Sequence, residues 1–293
     1  TSSGYRMGNG TMIIGGKEFQ WGERTYVMGV LNMTPDSFSG DGLEHDVEAA
    51  VARALVMQEE GADIIDGGGA APRPAGITYG EGARAVSVEE ELARVLPVIK
   101  RLKDVLEIPI SIDTYKAEVA RQAVATGASL INDVWGLKRD PELAKVAAET
   151  RVPLVVMHNQ EGYEYGDLIS DVLEGLRHSV EIAIAAGVPK DHIIVDPGIG
   201  FGKTAEHNLE ILRHLEDFKK ELDYPFLLGT SRKSFIGRVL GGLSPHERIE
   251  GTAATIAVAI TKGADMVRVH DVKQMARVCR MSDAIMRGWV PRD

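Results

Sequence analysis

The sequence predicts an α/β chain folded as a (β/α)8 TIM barrel, with a β-hairpin ahead of the first barrel strand. Three observations predict it. Eight short apolar runs follow one another at intervals of about 20 to 45 residues, room for one crossover helix in nearly every gap. Each run ends in Asp, Asn, His, Lys or Arg on the same side of the repeat, where barrels gather their functional groups. The chain has 293 residues, 44% hydrophobic but only 5% aromatic, which suits one large aliphatic core better than an open sheet.

In chain order, residues 1–10 are Gly/Ser-rich and are expected to form a disordered or appended tail, leaving 11–293 as a single domain. Thr11–Gly22 reads as a hairpin about Gly15-Gly16, placed to plug the barrel's N-terminal end. The predicted strands are Tyr26–Met33, Asp63–Gly68, Pro109–Thr114, Ser129–Val134, Pro153–His158, His192–Pro197, Phe226–Gly229 and Met266–His270. Helical spacing is visible in Asp46–Glu60, with apolar Val47, Ala50, Val51, Ala54, Leu55 and Met57. It recurs in Val88–Leu106, with Leu92, Val95, Leu96, Val98, Ile99 and Leu102. Glu89-Glu90-Glu91 reads as the solvated acidic start of that helix.

Several functions are excluded. A net charge of −10 argues against nonspecific nucleic-acid binding, while leaving room for a local basic mouth that holds phosphate. No run approaches the ~18–20 apolar residues of a membrane span, and no signal-peptide pattern opens the chain. Cys279 is the only cysteine, so a reducing cytoplasm is expected and the thiol is read as part of the core. No His/Cys cluster has the spacing of a structural metal site. Gly198-Ile-Gly-Phe-Gly-Lys-Thr204 suggests a phosphate loop, but Pro197 stands where the first glycine is needed.

The strand ends carry the chemistry. They offer Asn32, Asp66, Asp113, Asn132 with Asp133, Met157 with His158, Asp196, the run Ser231-Arg232-Lys233-Ser234, and Arg268 with His270. A single such Asp can be structural, but burying a ring of carboxylates without a ligand is costly. Asp113, Asp196 and Asn132 suit the edge of a flat heterocycle with a guanidine-like face. Arg268, His270 and Lys233 form a cationic half. Together they predict a heteroaromatic substrate that carries phosphate. His158 is expected to support its neighbours by hydrogen bonding.

Six ordered motifs resemble one family. They are Leu31-Asn-Met-Thr-Pro-Asp-Ser-Phe38, Ile110-Ser-Ile-Asp-Thr114, Ile131-Asn-Asp-Val-Trp-Gly136, Ile194-Val-Asp-Pro-Gly-Ile-Gly-Phe201, Gly229-Thr-Ser-Arg-Lys-Ser-Phe-Ile-Gly237 and Val267-Arg-Val-His-Asp271. Over residues 12–288 the chain is similar to the dihydropteroate synthases, the homodimeric folate-pathway enzymes that sulfonamides target. The resemblance implies joining of p-aminobenzoate to 6-hydroxymethyl-7,8-dihydropterin pyrophosphate by an SN1-like route, with Mg²⁺ as cofactor. It implies that Asp113, Asn132, Met157, Asp196, Phe201 and Lys233 bind the pterin. Asn32, Arg73, Arg268 and His270 are implied to hold the diphosphate, Asn32 through Mg²⁺. Phe38, Pro74, Lys233 and Ser234 are implied to hold p-aminobenzoate, and Asp36, Lys233, Arg268 and His270 to act in catalysis.

Two loops depart from the family pattern. Asp-x-Gly-Gly-Glu-Ser-Thr-Arg-Pro-Gly is replaced by Asp66-Gly-Gly-Gly-Ala-Ala-Pro-Arg-Pro-Ala75, and Ser39-Gly-Asp-Gly42 stands for Ser-Asp-Gly-Gly. Either these are neutral changes in tolerant loops, or they alter handling of the second substrate and weaken sulfonamides. Two rivals remain at this level: a pterin-dependent methyltransferase working with a corrinoid protein, and a non-catalytic pterin-binding paralogue.

Overall fold

A computed structural model of the chain describes residues 10–33, 42–70 and 85–291. Its first element is the predicted hairpin, β1 (Thr11–Ile14) paired antiparallel with β2 (Lys17–Gln20). Gly15 and Gly16 fill a two-residue turn at φ 56° and 78°, a conformation open to glycine at little cost.

Eight parallel strands follow: β3 (Tyr26–Asn32), β4 (Ile64–Gly68), β5 (Ile110–Asp113), β6 (Leu130–Asp133), β7 (Leu154–Met157), β8 (Ile193–Asp196), β9 (Leu227–Leu228) and β10 (Met266–Val269). They pair in the order β8-β7-β6-β5-β4-β3-β10-β9. A Val195–Phe226 bridge closes the ring between β8 and β9, with the Val195 N–H donating to the Pro225 carbonyl at 3.0 Å. Around it lie α1 (Gly42–Glu60), α2 (Val88–Val105), α3 (Ala117–Thr126), α4 (Leu143–Thr150) and α5 (Leu168–Ala185). Then come α6 (Ala205–Arg213), α7 (Leu215–Leu222), α8 (Ser234–Val239), α9 (Ile249–Thr261) and α10 (Val272–Arg287). The crossovers before β9 and before β10 each hold two α-helices where a single helix per gap was the general expectation.

Strand parity divides the core. Consecutive residues point to opposite faces of the sheet. Met28, Ile64, Leu130, Val155, Ile194, Leu227 and Met266 therefore form an inner cluster, whereas Val27, Ile65, Ile131, Val156, Val195, Leu228 and Val267 pack outward under the helices. The hairpin adds Met12, Ile14 and Phe19 to the inner cluster, with Trp21 and Tyr26 beside them. The Phe19 ring packs at a tilt against Tyr26, with centroids 4.7 Å apart, and against Trp21 at 5.8 Å. The hairpin is thus the expected plug, and it seals the N-terminal end with apolar surface. Polar chemistry is left to the other mouth.

Candidate active site

Two residues further along each strand, the same parity builds the next inner layer. It contains Asp66 on β4, Ser111 and Asp113 on β5, Asn132 on β6, Met157 on β7, Asp196 on β8 and Arg268 on β10. Asn32, at the end of β3, shares this parity and lies exposed at the mouth. Asp133 has the opposite parity. Its carboxylate accepts the Trp135 and Leu137 N–H groups at 2.8 and 2.7 Å, so it braces a turn outside the site.

The layer is held together by charge. Asp66 is fully buried and accepts hydrogen bonds from Ser111 Oγ at 2.7 Å, Asn132 Nδ2 at 3.2 Å and Arg268 Nε at 2.7 Å. Arg268 also reaches Asp113 through Nη2 at 3.4 Å. Strand β4 approaches β5 closely here, because a Cβ on Gly68 would sit 2.2 Å from the Asp113 carbonyl oxygen. The Asp113 side chain keeps 27% of its exposure but lies deep in the concave mouth. Burial, reinforced by the Asp66 charge and opposed by Arg268, raises its carboxyl to about 7. Burial also raises Asp196, against the Lys233 charge, while the Gly198 N–H donates to Asp196 Oδ1 at 2.8 Å.

The cationic half comes from the turn after β9 and from β10. Arg232 adopts φ 58° and forms a two-point ion pair with Asp271 at 3.0 and 2.8 Å; Arg248 Nη1 donates to its carbonyl at 2.7 Å. That pinned turn directs Lys233 inward. Its Nζ donates to the Ile199 carbonyl and lies 4.8 Å from the Phe201 ring centroid. Its stem packs on Gly200, where φ is 85° and a Cβ would come within 2.9 Å of Lys233 Cδ. Burial lowers Lys233 to about 8, with Asp196 resisting the shift. Ser234 is exposed as the first residue of α8.

His270 departs from the expected cation. Ser231 Oγ accepts the His270 backbone N–H at 3.0 Å and lies within hydrogen-bond distance of His270 Nδ1 at 2.8 Å. Burial and Arg268 lower the imidazole to about 4. Near neutral pH His270 is therefore a neutral ring.

An acidic floor beside Arg268 and Lys233 fits a flat, nitrogen-rich ring bearing an anionic tail, and comparison with known proteins agrees. The family described as pterin binding enzyme matches residues 28–270. Dihydropteroate synthase of Clostridium beijerinckii is 54% identical over 94% of this chain and 100% of that one. The Bacillus subtilis protein of that name is 54% identical over 90% of each. The chain belongs to the dihydropteroate synthases. It is an enzyme, a transferase, and the methyltransferase and non-catalytic alternatives fall away. Among solved structures, the Clostridium difficile dihydropteroate synthase in the presence of pteroic acid matches with a TM-score of 0.85 at 48% identity, over 92% of this chain and 99% of that one. The Xanthomonas albilineans enzyme with 4-aminobenzoic acid matches with a TM-score of 0.86 at 42% identity, over 97% of this chain and all of that one.

Of the residues singled out from sequence, Asn32, Asp113, Asn132, Met157, Asp196, Phe201, Lys233, Ser234, Arg268 and His270 lie at the C-terminal mouth or in the loops leading from it. Asp36, Phe38, Arg73 and Pro74 lie outside the described residues, as do Ala71 and Pro72 of the altered loop.

Two buried groups went unrecognised in the sequence. Glu91 is fully buried rather than solvated, accepting from Thr114 Oγ1 at 3.1 Å and from Lys116 Nζ. Its signal was periodicity, since 91, 95, 98 and 102 line one helix face. Lys203 is buried with its Nζ 2.8 Å from His158 Nδ1 and 2.9 Å from the Phe201 carbonyl. His158 thus has the supporting place expected of it. Burial chiefly, then the Lys203 charge, lowers its imidazole to about 3.

The unfolded imidazole titrates near 6.5. Between that value and about 3 only the unfolded chain takes the proton, so His158 erodes stability as pH falls below 6.5. His158→Gln, which lacks this titration, is expected to show a stability deficit that narrows steadily from pH 7 to pH 4.5. Urea unfolding at several pH values checks this, and a constant or widening deficit contradicts it.

Proposed function

We propose that the chain condenses 6-hydroxymethyl-7,8-dihydropterin pyrophosphate with p-aminobenzoate, giving 7,8-dihydropteroate and pyrophosphate. The observation that carries this is the Asn132 side chain, whose Oδ1 is buried with no hydrogen-bond partner among the described residues. A buried acceptor of this kind needs an N–H donor, and the amino-pyrimidinone edge of a pterin supplies several. Asp113 and Asp196 provide further acceptors, Lys233 a donor for the ring carbonyl and nitrogen, and Met157 and Phe201 apolar contact.

The same groups suit an SN1-like step. The bond from the pterin methylene to the diphosphate oxygen breaks, leaving positive charge on the pterin and negative charge on the leaving group. Carboxylates around the ring favour the first, and Arg268 favours the second, with the neutral His270 imidazole as a further polar group. The arylamine nitrogen then attacks the methylene carbon and loses a proton. Ser234 and the Lys233 stem are suited to p-aminobenzoate, the site at which a sulfonamide competes.

Mg²⁺ fits sparingly. Among the described residues no cluster of three His, Cys, Asp or Glu side chains is poised for a metal, but Asn32 presents an exposed amide at the mouth. A Mg²⁺ ion commonly takes one or two protein oxygens, with phosphate oxygens and water completing its shell. When bound it would neutralise diphosphate charge. A cytoplasmic homodimer completes the proposal. No helix among the described residues is long and apolar enough to cross a membrane. Met281 and Ile285, one turn apart on α10, are exposed apolar residues suited to a second copy, with Trp289 and Val290 exposed beyond the helix end.

Pyrophosphate release from the dihydropterin substrate is expected to require both p-aminobenzoate and Mg²⁺, with dihydropteroate formed in equal amount. Tight pterin binding without release would overturn the proposed reaction. Release with a greatly raised demand for p-aminobenzoate would instead locate an effect in the altered loop. Ile285→Asp is expected to convert the dimer to monomer in analytical ultracentrifugation; an unchanged mass, or a monomeric parent, sinks the proposed face.

A further inference from the structure

Beneath the floor lies a carboxylate to which the reaction above gives no task. We infer that Asp66 is a positioning residue that orients Asn132 and Arg268 together for the pterin. The two ends of an asparagine amide are nearly equal in shape, and only their partners decide which end points where. Here Asn132 Nδ2 donates to Asp66 Oδ2 at 3.2 Å, which turns Oδ1 the other way. The reverse orientation would set the amide oxygen against a carboxylate oxygen. Asp66 thereby makes Asn132 an acceptor toward the ligand, and that acceptor is the one left without a partner.

The same oxygen of Asp66 takes Arg268 Nε at 2.7 Å, leaving Nη2 on the Asp113 side of the guanidinium. Its other oxygen takes the Ser111 hydroxyl proton at 2.7 Å, fixing the plane of the carboxylate. Three donors from three strands therefore converge on one fully buried group. A merely structural ion pair would need only Arg268. What singles out Asp66 is that one atom sets both the amide's direction and the cation's.

This inference rests on the pterin assignment of the site, and the test separates the two. Binding of 6-hydroxymethyl-7,8-dihydropterin is measured by calorimetry for Asp66→Ala, Asp66→Asn, Asn132→Ala and the double variant Asp66→Ala/Asn132→Ala. Loss of one buried hydrogen bond to a ligand corresponds to about tenfold in affinity. Asp66→Ala is expected to weaken pterin binding at least about tenfold, and Asp66→Asn, which keeps an acceptor in place, by about threefold. The KM for p-aminobenzoate is expected to stay within about twofold. The double variant is expected to bind no more than about twofold below the weaker single variant, because both substitutions disable one unit. Single losses that multiply in the double variant overturn the inference. So does wild-type pterin affinity in both Asp66 variants while Asn132→Ala is weakened. Wild-type affinity in Asn132→Ala removes the pterin assignment itself, and the inference with it. Should Asp66→Ala fail to fold, the isosteric Asp66→Asn decides by its threefold loss or its absence.

Discussion

The period of two along a β-strand is the constraint on which the rest of the molecule depends. In a closed parallel barrel it forces each strand to feed two environments by turns, the helical shell and the barrel interior. Interior positions then stack in layers. The lower layer here is apolar and capped by the hairpin's Phe19 and the adjoining Trp21, packed against Tyr26 of β3. The next layer up is almost wholly polar, and among the described residues no covering sheet or helix neutralises it. Its groups must satisfy one another or a ligand.

They do both in part. Burying Asp66, Asp113 and Asp196 together would be prohibitive without cations. Arg268 answers Asp66 and Asp113, and Lys233 answers Asp196, which leaves a site with its charges largely matched. The match is incomplete where binding occurs. Asn132 Oδ1 has no partner among the described residues, and Asp113 is raised to about 7. Preorganised groups of this kind favour charge separation in a bound substrate, because they need no rearrangement when charge develops. The supports lie outside the floor: Arg232–Asp271 pins the turn that delivers Lys233, and Lys203 ties His158 to the loop carrying Phe201.

Much of this was legible in the sequence because a fully buried strand is a continuous apolar run that stops where the barrel meets solvent. That is why Asp113, Asn132, Asp196 and Arg268 stood out. Parity was harder to read: Asn132 and Asp133 are adjacent and both polar, yet one enters the site and the other braces a turn. Protonation was not legible either. His270 resembles a cation on paper, and only its burial and the neighbouring Arg268 charge make it neutral. Glu91 was hidden by its acidic neighbours, although its helical phase marks it as inward. The two-residue strand β9 and the split α6–α7 crossover carry no sequence signal that separates them from their longer counterparts.

The central claim is that the polar layer reads the amino-pyrimidinone edge of a pterin. The most direct measurement is calorimetric binding of 6-hydroxymethylpterin beside its analogue with a carbonyl in place of the 2-amino group. Removing a donor from a site built of acceptors leaves buried oxygens facing oxygen, a mismatch of about 100-fold or more in affinity. A loss of that size is the result the account predicts. Equal affinity for the two compounds would contradict it, since the floor would then hold the ring without reading its edge.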